Sequence, residues 1–97
     1  MVGTLERKPI EVWKFNRQVP AVSAGTLLRI QANEPFLLHW TSDEWHTSTD
    51  TPSTTTALEI EFADIQVSQQ DGPVRFTFLW KEENRWEGKD YEVKIHE

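Results

Sequence analysis

At 97 residues with no cysteine, the chain fits a single domain that folds without disulfides, and no thiolate metal site is possible. Ten Lys and Arg against sixteen Asp and Glu leave a net charge of −6 and a pI near 5.0, which opposes a nucleic-acid footprint. No apolar run nears the roughly 20 residues of a membrane helix and no charged-then-apolar leader opens the chain, so neither nucleic acid nor membrane is an expected partner.

Residues 1–10 are polar and weakly patterned, and read as a flexible lead-in or the end of a linker in a longer parent, with the compartment left open. Residues 11–97 then form the expected module. Glu11–Asn16 is a first short strand and Thr26–Gln31 a second, separated by a turn at Ser23-Ala24-Gly25. In the third, Phe36, Leu38 and Trp40 alternate with Leu37, His39 and Thr41. The polar run Thr47–Thr56 reads as a long loop in extended form. Leu58, Ile60 and Phe62 alternate with Glu59 and Glu61, and Val74, Phe76, Phe78 and Trp80 with Arg75, Thr77 and Leu79. Tyr91–Ile95 closes the series. Further turns fall at Asn33-Glu34-Pro35, Asp71-Gly72-Pro73 and Glu87–Asp90. This spacing, without a helical stripe, predicts an all-β, antiparallel, immunoglobulin-like β-sandwich. Its expected core is Trp13, Phe15, Leu28, Ile30, Leu38, Trp40, Ile60, Phe62, Phe76, Phe78, Trp80 and Val93. Trp13 over Val12 and Leu28 over Leu27 are the less sharply patterned choices.

Catalytic constellations are missing. Glu59 and Glu61 share one strand face, where solubility explains them better than a glycosidase pair held across a cleft. No Gly-x-Ser-x-Gly elbow, phosphate loop or dinucleotide fingerprint occurs among the four glycines. His39, His46 and His96 lack zinc-ligand spacing, and Asp43, Glu44 and Asp50 match no EF-hand loop, so neither metal nor cofactor is expected.

The five tryptophans divide into two groups. Trp13, Trp40 and Trp80 sit within alternating strands. Trp45 and Trp86 sit in polar segments just beyond two of them, Thr41–His46 and Lys81–Glu87. A large flat apolar face in a charged loop is usually covered by something. The two-residue pleat turns His39 outward if Phe36, Leu38 and Trp40 face the core. If the two strands share a sheet, His39, Trp45 and Trp86 converge, with Glu87, Lys89 and Asp90 as a polar fringe. Such a platform suits a sugar, whose C–H faces stack on indoles while its hydroxyls take hydrogen bonds.

Leu38-His39-Trp40-Thr41…Trp45, the Glu59–Phe62 segment, and Arg75–Phe78…Asn84-Arg85-Trp86-Glu87…Tyr91 together resemble the starch-binding modules of carbohydrate-binding families twenty-five and twenty-six. Glu11–Asn16 and Arg85–Tyr91 also look like the C-terminal segments of bacterial glucoamylase-like hydrolases. The resemblance spans roughly residues 11 to 95. It implies noncatalytic binding of α-glucan (starch, glycogen or maltooligosaccharides) through His39, Trp45 and Trp86; Glu87 and Lys89, from the polar fringe, are read beside them as further hydroxyl contacts. It also implies a parent catalytic domain in cis. Two departures stand out: Glu87 replaces the pattern's Asp, and Asp43-Glu44 stands where glycines are common. The competing expectation is a structural appendage that packs on a catalytic domain and binds no sugar, with Trp45 and Trp86 as interface anchors.

Overall fold

The computed structural model describes residues 9–68 and 72–96. Most of the expected lead-in, and Asp71 of one expected turn, lie outside them. The described residues form ten strands and no helix: β1 Ile10–Trp13, β2 Ala21–Ser23, β3 Leu27–Ala32, β4 Phe36–Thr41, β5 Thr49–Pro52, β6 Thr54–Thr55, β7 Glu61–Gln66, β8 Val74–Trp80, β9 Arg85–Trp86 and β10 Tyr91–His96. One sheet has the order β1-β3-β7-β6. The other runs β2-β10-β8-β4-β5, with β9 paired to the far end of β8.

Both sheets contribute to one core, an arrangement compatible with a β-sandwich. Leu28, Ile30, Ala63 and Ile65 come from the first sheet; Phe36, Leu38, Val74, Phe76, Phe78 and Val93 come from the second. Trp13 lies at the centre, 5.0 Å from both the Phe76 and the Tyr91 rings in edge-on contacts. Phe78 and Trp80, two residues apart on one face of β8, stack at 5.0 Å. Trp13 and Leu28 are the inward members of their pairs.

Three expectations need correction. The sheets are mixed rather than wholly antiparallel: β1 runs parallel to β3, and β2 parallel to β10. Both β1 and β2 are edge strands, and the chain passes from the first sheet at β1 to the second at β2 and back at β3. That alternation sets β3 beside β1 in the same direction.

The strand around residue 60 is out of phase with its reading. Leu58 is 80% exposed, and Phe62 lies on the outer face, with the Arg29 guanidinium 4.3 Å from its ring centroid. The inward residues are Glu61, Ala63 and Ile65, followed by Val67. A turn closed by Glu59 N donating to Thr56 O, with Glu59 at φ 61°, resets the pleat before the strand begins. Burial of Glu61 is tolerable because Ser53 Oγ donates to Oε1 at 2.6 Å and Thr55 Oγ1 to Oε2 at 2.5 Å. These two donors hold its carboxyl below the usual range. Ile60 is only half-buried.

The third correction concerns the rim of the core. Phe15 is 39% exposed yet packs on Trp13 and Phe78, each at 5.1 Å, and closes one end of the aromatic cluster. Trp40 is half-buried against the core, with Nε1 donating to Thr51 Oγ1 at 3.0 Å. The polar run 47–56 is extended, as β5 and β6.

Candidate functional site

The outer face of the second sheet carries a row of side chains set by strand register. β4 pairs with β5 and β8, so His39 lies opposite Asp50 on one side and Thr77 on the other. His39 Nδ1 lies 2.5 Å from Asp50 Oδ1. An ionised carboxylate only accepts, so Nδ1 carries the proton and Nε2 is the ring nitrogen left to other partners. Thr77 Oγ1 donates to the Lys89 carbonyl at 2.9 Å, which ties the Glu87–Asp90 turn to the same row.

The loop after β4 is organised by Thr41, whose side chain is buried although it belongs to the outward set. Its Oγ1 accepts from Asp43 N and Trp45 N, both at 3.2 Å. Its own proton is shared between Asp43 Oδ1 at 2.7 Å and the Thr47 carbonyl at 2.6 Å. The Asp43 carboxylate also accepts from Thr47 Oγ1 at 2.6 Å and Thr47 N at 2.9 Å. The hydroxyls of Thr47 and then Thr41, with the Thr47 amide, pull its pKa down to about 2. Glu44 and Trp45 both take left-handed backbone angles, φ 59° and 66°. That conformation is uncommon for a non-glycine residue and an outlier for a bulky one, so the loop holds local strain where it presents an indole. Arg75, beneath it, bridges Glu44 at 3.3 Å and Glu92 at 3.0 Å.

Trp86 is presented by different means. A turn with Asn84 at φ 49° leads into β9, where Trp86 pairs with Leu79. Asn tolerates this region better than most residues. Glu87 then turns inward: its backbone N donates to the Phe78 carbonyl at 2.8 Å. Its carboxylate accepts from Trp80 Nε1 at 2.9 Å and from the Tyr91 hydroxyl at 2.6 Å. Burial first, then the Glu87 carboxylate, pushes the Tyr91 hydroxyl up to about 12.

The structure thus brings His39, Trp45 and Trp86 onto one face. Trp45 stacks on the imidazole at 5.2 Å and 18°, while Trp86 meets it edge-on at 5.8 Å and 74°. The two indoles are therefore steeply inclined to each other, and remain 36% and 52% exposed. An open depression of about 330 Å³ lies beside Trp45, lined by His39, Trp45, Thr77 and Asp90, while Trp86 flanks the imidazole outside that lining. Glu87 does not join this lining, because both of its oxygens are engaged behind Trp86. Lys89 sets its Nζ 5.2 Å from the Tyr91 ring centroid and gives its carbonyl to Thr77.

Sequence reasoning passed over Thr77 and the role of Asp50. Thr77 was legible in principle, as the outward residue of a strand adjacent to His39. Asp50 depends on a strand pairing formed by a segment that reads as loop. Chemically, the face offers two aromatic planes, an imidazole, the Asp90 carboxylate and the Thr77 hydroxyl. Among the described residues, no three His, Asp or Glu side chains converge as a metal-ligand set.

No family model matches the chain, and no solved structure matches it. Two curated relatives do, both cycloisomaltooligosaccharide glucanotransferases of Niallia circulans, at 32% and 30% identity over 87% of this chain. The match covers only 10% of each relative, so the chain spans about a tenth of the length of the proteins it resembles. Similarity to a small part of a carbohydrate-active enzyme, together with the aromatic cluster, fits an accessory domain.

Proposed function

We propose that this domain is a noncatalytic α-glucan-binding module, of the immunoglobulin-like sandwich type, that holds a parent carbohydrate-active enzyme against its polymer. The observation that carries this reading is the convergence of Trp45 and Trp86 on the His39 ring, with an open depression beside His39 and Trp45. Each indole offers a plane for the C–H face of a glucose ring, and their inclination suits consecutive rings turned relative to one another, as α-linkages turn them. Asp90 and His39 Nε2 supply hydrogen bonds to hydroxyls.

The resemblance to the starch-binding modules of families twenty-five and twenty-six supports an α-1,4 chain. The names of the two relatives support an isomalto chain instead, and the two differ in linkage rather than in ring chemistry. Stacking on an aromatic is worth roughly 1–3 kcal/mol by analogy with base stacking, so two stacked rings imply micromolar to millimolar binding. Repetition along a polymer raises the effective strength of such a contact.

The test is a titration of the isotope-labelled domain with maltotriose and isomaltotriose, read at the indole N–H signals. Trp45 and Trp86 should shift while Trp13 and Trp80 stay in place. Silence of both at about 10 mM of either sugar would sink the glucan reading. The exposed indoles would then be anchors for a neighbouring domain, and the module a structural appendage.

A further inference from the structure

A second cavity lies away from the aromatic face, at the end of the first sheet where β1 and β3 finish. It encloses about 290 Å³ and is lined by Lys14, Phe15, Asn16, Gln31, Ala32 and Asn33. Register explains the grouping. β1 and β3 run parallel with Trp13 beside Ile30, so the next residues on each, Lys14 and Gln31, emerge side by side. Phe15 and Asn16 form the tip of a tight turn closed in both directions, Lys14 N to Arg17 O at 3.1 Å and Arg17 N to Lys14 O at 3.0 Å. Gln18 Nε2 donates to the Phe15 carbonyl at 3.3 Å and pins the turn from behind.

Phe15 is held on its inner side by Trp13 and Phe78, with Trp80 at 5.9 Å, while 39% of it remains exposed. An aromatic ring fixed on one side and open on the other loses little freedom when a ligand covers it. Around it stand three amides, each with donors and an acceptor. Among the described residues, the side chains of Lys14, Asn16, Gln31 and Asn33 have no hydrogen-bond or ion-pair partner. Lys14 is the sole charge in the lining, and the net charge of −6 repels an anion from the chain as a whole. Groups that both donate and accept match vicinal hydroxyls, which do the same.

We infer that this cavity is a second saccharide-binding subsite, taking one neutral pyranose ring over Phe15 with its hydroxyls on Asn16, Gln31 and Asn33. The volume is at the low end for ligand pockets, which fits a single ring rather than an oligomer. With the aromatic face on the other sheet, the domain becomes bivalent toward a branched or bundled polymer. The choice of a glucan as probe rests on the function proposed above; the subsite itself rests on its own lining.

The experiment is the same labelled chain titrated with maltotriose, isomaltotriose and, separately, glucuronate. It is run on wild type, on the Trp45→Ala/Trp86→Ala double variant and on Gln31→Ala/Asn33→Ala. Phe15→Ala is avoided because that ring also closes the core. The side-chain amide signals of Asn16, Gln31 and Asn33 should shift with either trisaccharide in wild type and equally in the double tryptophan variant. Gln31→Ala/Asn33→Ala should lower retention on glycogen or dextran by about tenfold or more through lost avidity. Amide shifts with a silent aromatic face would uphold the subsite and defeat the earlier reading. Shifts at Trp45 and Trp86 alone would do the reverse. Amide shifts that vanish in the double tryptophan variant, or that glucuronate produces more strongly than neutral sugar, would overturn the subsite as described.

Discussion

Replacing Glu87 separates a strut from a ligand contact, the two roles that its position beside Trp86 suggests. Its carboxylate accepts from Trp80 Nε1 at 2.9 Å and from Tyr91 OH at 2.6 Å, and both donors belong to buried rings. Glu87→Ala leaves two donors with little access to water, each at a cost of roughly 1–3 kcal/mol, and the total is about 2–4 kcal/mol if part of the gap rehydrates. Glu87→Gln keeps an acceptor for Trp80 Nε1 and turns its amide toward the Tyr91 oxygen, which accepts as well as donates. That variant should lose only about 1 kcal/mol, the difference between a charge-assisted and a neutral hydrogen bond. Urea denaturation of the wild type and both variants measures these losses, with sugar titration of each in parallel. Binding should weaken in Glu87→Ala because Trp86 loses its anchor, and largely survive in Glu87→Gln. An alanine variant of unchanged stability that no longer binds sugar would refute the strut and make Glu87 a direct contact.

Four further outcomes follow from the same geometry. Trp80→Ala should cost about 3–5 kcal/mol on denaturation, whereas Trp86→Ala, more than half exposed at 52%, should cost under about 1 kcal/mol. The Tyr91 hydroxyl titrates near 12 when folded against an ordinary value of 10.0, so the stability it contributes is complete below pH 10 and is lost as pH rises from about 10 to 12. An alkaline stability profile should show that loss, and Tyr91→Phe should remove it. Asp43, lowered to about 2 from 3.8, acts with the opposite sign: its contribution to the loop is present above about 3.8 and disappears as pH falls through 2. The Trp45 indole signal should therefore broaden or move in that acid window in wild type and not in Asp43→Asn. Finally, Trp45 sits at φ 66°, so Trp45→Gly should be about 1 kcal/mol more stable than Trp45→Ala in thermal melts, although both abolish stacking.

How far the chain could be read varied from strand to strand. β4 and β8 matched their expected bounds because their large apolar residues occupy one phase of the pleat and mostly small or polar ones the other. β7 was misphased because two alternating sets overlap there: Leu58, Ile60 and Phe62 on one phase, and Glu61, Ala63, Ile65 and Val67 on the other. The second set prevails only because hydroxyls from β6 and the residue before it satisfy Glu61, a fact that local periodicity does not contain. The parallel edges were equally hidden, since pairing of β1 with β3 and β2 with β10 is set by the chain's path between sheets. On the candidate site, Trp45 and Trp86 stood out as large apolar residues in polar segments. Glu87 looked like part of their fringe because its partners, Trp80 and Tyr91, come into range only once β8 and β10 are paired.

A surface that binds weakly has little free energy to spare for ordering itself, since each side chain immobilised on binding costs about 0.5–1.5 kcal/mol. Three aromatic groups free to move would cancel most of what two stacked rings supply. Here each is held by a separate polar device. Asp50 holds His39, the Thr41–Asp43–Thr47 knot holds the turn that carries Trp45, and Glu87 anchors the chain beside Trp86 to Trp80 and Tyr91. The strain at Glu44 and Trp45 has the same explanation: the knot holds an indole in a backbone conformation it would not adopt alone. The first two devices lie outside the hydrophobic core, while the third ties the chain beside Trp86 to two rings at the rim of the core. Rings held in this way lose little freedom when covered, which supports the binding role proposed for this face.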